Sequence, residues 1–172
     1  MSVNFSELRT KMVDGQIRTT DVTSLPLLQA FLDIPREAFV DAGQRELAYI
    51  DEDIRIAAPS GEAPARYLME PSPLAKLIQL ADIRPGDFVL DVGAGTGYAS
   101  AVMSKLAGSV IALESDPTLA ERAGTLLASL GCDNVVVVEG PLSAGVAKQA
   151  PFDVIFINGA VDEVPEALLA QL

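Results

Sequence analysis

The sequence predicts an α/β fold, in which a doubly wound and mostly parallel sheet follows an N-terminal helical extension. Short apolar, β-branched runs alternate with helical patterns from about residue 85 onward. A glycine-rich turn joins the first of these runs to a helix, and apolar residues form 49% of the 172 residues. That share is enough to bury a core between a sheet and its helices. We therefore divide the chain into an extension, residues 1–82, and a sheet domain, residues 83–172.

The extension is predicted to be helical, with a loop-rich stretch from about residue 50 to residue 73. Helices are expected over residues 3–14, 21–33 and 73–81, where apolar side chains recur every three or four positions. Thr20 or Asp21 is a suitable N-cap for the second helix. A short element begins at Pro35, and residues 57–64 contain two prolines and one glycine, which predict a loop.

The sheet domain is predicted to contain four strands, over residues 88–92, 109–114, 134–138 and 152–157. Helices are expected between and after them, over residues 99–107, 117–130, 142–149 and 164–172. The second of these helices begins with Pro117 and is followed by Gly131, which is the usual asymmetry of helix ends. Strands joined by helices in this order form a parallel sheet with right-handed crossovers.

Composition excludes several kinds of site. The chain has 24 acidic and 12 basic residues and a formal net charge of −12, so a nucleic-acid partner is not expected. It has no histidine, which excludes a Ser-His-Asp triad and histidine-ligated metals. Cys132 is the only cysteine, so we expect no zinc site, no disulfide and a reducing cytoplasm. Neither a secretory signal nor an apolar run of membrane length is present, so no membrane partner is expected.

The segment Asp91-Val-Gly-Ala-Gly-Thr-Gly97 follows the first predicted strand and opens a helix. In doubly wound sheets, ligands bind outside the carboxyl ends of the strands. The first two glycines permit a tight turn, and the third permits close packing of the helix. The acid suits the positively charged amino-acid part of S-adenosylmethionine. We therefore predict a site for that cofactor at Asp91, Gly93, Ala94, Gly95, Thr96 and Gly97.

A nicotinamide or flavin site is the competing interpretation of this turn. Its fingerprint places the third glycine three positions after the second, whereas Gly97 comes two positions after Gly95. Glu114 ends the second strand and can accept hydrogen bonds from both ribose hydroxyls of either cofactor, and we include it with Ser115 in the predicted site. Structural roles stay open: Asp91 as a helix cap, Glu114 as a solvated acid, and the glycines as turn residues only.

Several longer segments resemble one family of enzymes. They are Pro35-Arg-Glu-Ala-Phe-Val40, Ala48-Tyr-Ile-Asp51, Arg84-Pro-Gly-Asp-Phe-Val-Leu-Asp-Val-Gly-Ala-Gly-Thr-Gly-Tyr98, Asn134-Val135, Ala150-Pro-Phe-Asp153 and Val164-Pro-Glu-Ala-Leu-Leu-Ala-Gln-Leu172. Over residues 35–172 the chain resembles the protein-L-isoaspartate O-methyltransferases, especially their shorter bacterial relatives. The resemblance implies a Rossmann-like methyltransferase fold, S-adenosylmethionine as cofactor, and methyl transfer to the carboxylate of a damaged aspartate in a protein or peptide, as in protein repair.

This chemistry is compatible with a chain that lacks histidine. A sulfonium is already a strong electrophile, and a carboxylate needs no deprotonation at neutral pH, so the protein has only to align the two groups and exclude water. No catalytic residue is assigned. The resemblance places Gly140, Pro141 and Leu142 beside the adenine, and Met69, Pro71 and Asn158 on the substrate side.

The chain departs from the family at three loops. The family has Gly-Gln-Thr-Ile-Ser-Gln-Pro before the first helix of the sheet domain; counting back from Pro71, this chain has Tyr67 and Met69 at the threonine and serine positions. A thioether cannot donate a hydrogen bond. In the family's Gly-Asp-Gly segment, Pro141 replaces an aspartate that can accept from the adenine amino group. Asn158-Gly-Ala160 stands where the family usually has Thr-Ala-Ala.

These departures leave two further hypotheses. The chain is either a methyltransferase for another acceptor, or a binding or assembly module that keeps the fold without turnover. Methyltransferases of this type also have strands beyond the point where this chain stops. We therefore expect a truncated sheet whose fourth strand is an edge, or an edge that another element covers, for example in a homodimer.

Overall fold

The computed structural model describes residues 3–172, and within them the chain forms six α-helices and six β-strands. The helices are α1 (Phe5–Met12), α2 (Leu25–Asp33), α3 (Pro71–Leu80), α4 (Tyr98–Ser104), α5 (Pro117–Ser129) and α6 (Glu166–Leu169). The strands are β1 (Ile54–Ala57), β2 (Arg66–Leu68), β3 (Phe88–Val92), β4 (Ser109–Glu114), β5 (Val135–Glu139) and β6 (Val154–Ile157). None of the helices in this range is both long and apolar enough to cross a membrane.

The main sheet has four parallel strands in the order β5-β4-β3-β6, which confirms the predicted fold class. Val89 of β3 pairs with Val110 of β4 on one side and with Val154 of β6 on the other. The chain thus proceeds outward from β3 through β4 to β5 and then returns to the opposite side of β3. Because strand order reverses there, the carboxyl ends of β3 and β6 border the crevice where such folds bind ligands.

The two faces of this sheet have separate apolar cores. Val89 and Val110 face the helices of the extension, whereas Leu90 and Ile111 face Phe152 and the C-terminal segment. This alternation follows from the two-residue period of a strand. The larger core contains residues from both sides of the predicted boundary at residue 83, so the extension is packed directly against the sheet.

Tyr98 connects the extension to the sheet domain. It is fully buried, and its ring contacts Phe31 and Phe39 edge to face, with centroid distances of 6.2 and 5.4 Å. Aromatic pairs in this geometry are favourable because the edge of one ring meets the electron-rich face of the other. The start of α4, directly after the glycine-rich turn, is therefore fixed by side chains of the extension.

Several predicted elements are wrong in part, and one was not predicted. The last helix covers Glu166–Leu169 and not residues 164–172, and the fourth predicted strand begins at Val154 and not at residue 152. The second helix starts at Leu25 and not at residue 21, because Asp21 adopts a left-handed conformation (φ 65°). Only one 3₁₀ turn, Leu142–Ala144, forms in the predicted helix over 142–149, since the backbone of Gly145 (φ 61°) ends it. The stretch predicted as loop-rich contains the antiparallel hairpin β1–β2, in which Ile54 pairs with Leu68.

Two glycines provide a matched test of the packing. A Cβ at Gly108 would lie 2.9 Å from backbone atoms of Gly86, whereas a Cβ at Gly124 in α5 would meet no atom within 4 Å. We expect Gly108→Ala to lower the free energy of unfolding by about 1–3 kcal/mol through overpacking. Gly124→Ala should raise it by about 0.5–1 kcal/mol, since alanine restricts the unfolded chain. Urea denaturation measures both; equal effects of the two substitutions would contradict the described contact.

Candidate functional site

A cavity of about 840 Å³ opens at the carboxyl ends of β3 and β6. Strand ends supply one wall, through Gly93 and Asn158, and the loop after β4 supplies another, through Ser115. The β1–β2 hairpin covers the cavity from the side of the extension. Its location is the one expected for a ligand site in a doubly wound sheet. Further lining residues are Tyr67, Met69, Asp116, Leu142 and Ile157.

The glycine-rich turn lies beneath this cavity and is closely packed. Gly93, Gly95 and Gly97 have φ angles of +84°, +59° and +93°, which side-chain-bearing residues rarely adopt. A Cβ at Gly97 would lie 3.1 Å from Leu127, so α5 packs directly on the turn. A Cβ at Gly95 would lie 2.8 Å from Ile56 of the hairpin. The turn therefore needs glycines for contact with two elements as well as for its backbone conformation.

Glu114, at the end of β4, is fully buried and lies between the turn and the hairpin. Arg66 of β2 donates to both of its carboxylate oxygens, from Nη1 to Oε1 at 2.7 Å and from Nη2 to Oε2 at 2.8 Å. The backbone amide of Gly95 donates to Oε2 at 2.6 Å, and the amides of Ser115 and Asp116 donate to Oε1. The predicted ribose acceptor is thus occupied by an arginine in this structure.

Asp91 lies behind the cavity and not on its wall. Its carboxylate is fully buried, and Oδ2 accepts a hydrogen bond of 2.6 Å from the Ser100 hydroxyl on α4. Oδ1 has no hydrogen-bond partner among residues 3–172. Burial raises the pKa of Asp91 to about 7, against the opposing effect of the Ser100 hydrogen bond, and the negative charge of Glu114 raises it further.

The remaining predicted site residues divide into two groups. Gly93, Ser115 and Leu142 line the cavity, as do the substrate-side candidates Met69 and Asn158. The residues outside its lining are Pro71, Asp91, Ala94, Gly95, Thr96, Gly97, Glu114, Gly140 and Pro141. The cofactor and substrate roles of both groups stay predictions from the sequence.

Some residues behind the cavity have clear structural contacts. The Thr96 hydroxyl donates to the backbone carbonyl of Phe39 at 2.8 Å, and the Gly140 amide donates to the backbone carbonyl of Glu114 at 3.0 Å. The first contact ties the turn to the extension, and the second ties β5 to β4. Both fix the frame of the cavity.

Arg36, in the extension, holds the segment around Met69. Its side chain is fully buried, with Nη2 donating to the carbonyl of Met69 at 2.8 Å and Nε donating to the carbonyl of Ala48 at 2.7 Å. Its guanidinium also lies 4.9 Å from the ring centroid of Tyr98, a cation–π contact. Burial lowers the pKa of Arg36. The Pro35-Arg36 pair, prominent in the sequence, is therefore a support for the Met69 segment.

Arg66 is the residue of this site that sequence reasoning missed. A signal was present, because the count from Pro71 that places Met69 at the family's serine also places Arg66 at the first glutamine of that segment. An arginine replacing a neutral amide next to a predicted acidic ribose site would have indicated an ion pair. The 48 positions that separate Arg66 from Glu114 hide this contact from any local pattern.

Comparison with known proteins identifies related families and folds. A family model described as protein-L-isoaspartate(D-aspartate) O-methyltransferase matches residues 7–172. A protein-L-isoaspartate O-methyltransferase of Koribacter versatilis is 40% identical over 95% of this chain and 71% of its own length. One of Ignicoccus hospitalis is 38% identical over 96% of this chain and 74% of its own length.

Solved structures show the same fold. One protein-L-isoaspartate O-methyltransferase superposes with a TM-score of 0.84 at 31% identity, covering 95% of this chain; this chain spans 52% of that structure's length. A second structure, from Plasmodium falciparum, superposes with a TM-score of 0.74 at 20% identity. The match covers 99% of this chain and 80% of that structure's chain, which is described as a complex with S-adenosyl-L-homocysteine. The second likeness shows the fold alone.

The buried Asp91 should make stability depend on pH. Burial raises its pKa to about 7 in the folded chain, above the ordinary value of 3.8 for an aspartate carboxyl, so unfolding releases its proton between these pH values. Its stabilising contribution is therefore complete below about pH 4 and is lost as pH rises toward about 7. We expect the unfolding free energy of the wild type to fall relative to Asp91→Asn by up to about 1.4 kcal/mol per pH unit across this window. Urea titrations from pH 4 to pH 7 measure the difference, and parallel curves would contradict it.

Proposed function

The chain belongs to the protein-L-isoaspartate(D-aspartate) O-methyltransferase family of S-adenosylmethionine-dependent enzymes, and we propose that it methylates the side-chain carboxylate of isoaspartyl residues in proteins or peptides. The observation that carries this proposal is the buried Glu114 carboxylate, which ends β4 beside the glycine turn at the switch point of the sheet. A carboxylate at this position is the usual acceptor for the hydroxyls of a nucleoside ribose.

The residues around the cavity fit such a cofactor once Arg66 is displaced. Backbone amides of Gly95, Ser115 and Asp116 already orient Glu114, so its carboxylate would keep three hydrogen bonds while it accepts two from a ribose. Gly93 has no side chain that could obstruct the methionine part of the cofactor. A Cβ at this position would point toward atoms of Asn158, Arg66 and Leu142, at 3.6–3.7 Å, and these residues line the cavity. Leu142 lines the cavity and would offer an apolar surface to the adenine.

The chain's contribution to the reaction is positioning. When bound, the cofactor supplies an electrophilic methyl group, which an ionised acceptor carboxylate can attack without a general base. Asn158 and Met69 line the cavity, and we expect them to contact the acceptor. Apolar side chains such as Ile157 would exclude water from it. No side chain has to take up a proton, in keeping with a chain without histidine.

A second candidate function is a binding or assembly module without turnover. Two observations favour it. Met69 stands where the family has a serine that helps to hold its ligands, and a thioether cannot donate a hydrogen bond. The ion pair of Arg66 with Glu114 also closes the ribose position in this structure. The methyl-transfer assay below separates the two candidates.

The composition of the chain also bears on its location and its partners. The single cysteine supports a cytoplasmic location, because a reducing compartment keeps thiols from forming disulfides. The net charge of −12 argues against nucleic acid, and nothing in the composition suggests a membrane partner. A homodimer that covers the edge strand β6 stays a hypothesis.

The test is transfer of labelled methyl from S-adenosylmethionine to an isoaspartyl peptide, with the same peptide carrying normal aspartate as the control acceptor. We expect label on the isoaspartyl peptide only. Glu114→Ala removes the ribose acceptor and should reduce transfer at low cofactor concentration by at least about tenfold. Glu121→Ala, an exposed acid on α5, should leave transfer unchanged.

Absence of transfer from a chain that binds S-adenosylhomocysteine would contradict the isoaspartyl proposal and favour the binding module. Label on another protein carboxylate would retain the enzyme and reject the substrate. Circular dichroism of both variants establishes that each is folded.

A further inference from the structure

The hydrogen bonds of Glu114 leave no free acceptor site for a ligand. Five donors approach its two oxygens within 3.0 Å: two guanidinium nitrogens of Arg66 and the amides of Gly95, Ser115 and Asp116. A carboxylate offers about four lone-pair sites. Additional donors, such as the two hydroxyls of a ribose, can therefore bind Glu114 only if present donors leave.

Arg66 is the one of these partners that can leave without unfolding the site. The three amides belong to the turn after β3 and to the chain directly after β4, and their positions are fixed by the sheet. The Arg66 side chain is 22% exposed and lines the cavity, so its guanidinium can move into solvent. It is also the only basic residue among the described residues that line this cavity.

Arg66 belongs to a small element that is separate from the main sheet. Residues 54–68, here called the strap, contain β1, β2 and the loop between them, and they form a two-stranded sheet of their own. In the strap, Ala57 pairs with Arg66, and the adjacent Ile56 contacts Gly95. The strap therefore closes on the glycine turn and on the ribose acceptor at once.

A ribose can replace the guanidinium without loss of hydrogen bonds. Two vicinal hydroxyls present two O–H donors to the two carboxylate oxygens, as the guanidinium presents two N–H donors. The three amide bonds persist, so the number of donors to Glu114 stays at five. The charge next to Glu114 changes, because a neutral diol replaces the guanidinium and Arg66 moves into water.

Resting on the proposed function, we propose that Arg66 is a gate residue that competes with the cofactor ribose for Glu114. In the free chain, the guanidinium neutralises the buried carboxylate and the strap closes the nucleoside end of the cavity. Binding of an adenosine nucleoside with both ribose hydroxyls displaces Arg66 and opens the strap. The affinity measured for the cofactor is thus lowered by the fraction of chains that are closed.

The test is calorimetric titration of the full chain with S-adenosylhomocysteine. Arg66→Gln keeps a polar side chain but removes the positive charge and one of the two nitrogens that donate to Glu114. We expect it to bind the nucleoside at least about tenfold more tightly than the wild type, because the competing closed state is lost. Arg55→Gln, an exposed arginine on the other strand of the strap, is the matched control and should bind as the wild type does.

Thermal unfolding supplies a second readout that a purely structural arginine would not produce. Without ligand, Arg66→Gln should unfold at a lower temperature than the wild type, because Glu114 loses its cation. With saturating S-adenosylhomocysteine the difference should disappear, since Arg66 is displaced in both chains. A structural role would lower the unfolding temperature equally with and without ligand.

The outcomes separate the gate from the cofactor site itself. The gate is supported if Arg66→Gln binds the nucleoside more tightly than the wild type while Arg55→Gln does not. It is supported most strongly if Arg66→Gln binds and the wild type shows no binding. Equal or weaker binding by Arg66→Gln contradicts the gate and leaves the proposed function intact. Absence of binding by every chain contradicts the cofactor site, and with it the proposed function.

Discussion

The site is organised around a single buried carboxylate. Glu114 has no solvent exposure, and an ionised group in that environment is tolerated only when it is paired and fully hydrogen-bonded. Its partners come from the turn after β3, from the chain after β4 and from the β1–β2 hairpin. The charge of one residue therefore holds together three segments that are distant in sequence, and these segments form the walls of the cavity.

The N-terminal extension completes this arrangement from the opposite side. Arg36 fixes the carbonyl of Met69, Thr96 donates to the carbonyl of Phe39, and Tyr98 packs between aromatic side chains of the extension. Because the extension and the sheet share one apolar core, the segment around Met69 has little freedom to move relative to the strand ends. Precise placement matters in a reaction that depends on alignment and not on proton transfer.

The sequence alone was enough to predict the strands of the main sheet, but not the contacts that close the cavity. β3 and β4 have the predicted bounds because each is mostly apolar and buried on both faces, with its acidic residue, Asp91 or Glu114, at or next to its end. The helix expected over 142–149 did not form, because the backbone of Gly145 departs from helical geometry. The hairpin escaped prediction since β2 has only three residues. The contacts of Arg66 and Asp91 depend on tertiary packing, which no local pattern encodes.

A crystal structure of the chain with bound S-adenosylhomocysteine would test the role of Glu114 directly. We expect both ribose hydroxyls to donate to Glu114 and the Arg66 guanidinium to lie beyond salt-bridge distance, more than about 4 Å from that carboxylate. Amides of Gly95, Ser115 and Asp116 should keep their present bonds. A bound nucleoside with the Arg66–Glu114 pair still intact would contradict the central role assigned to this carboxylate.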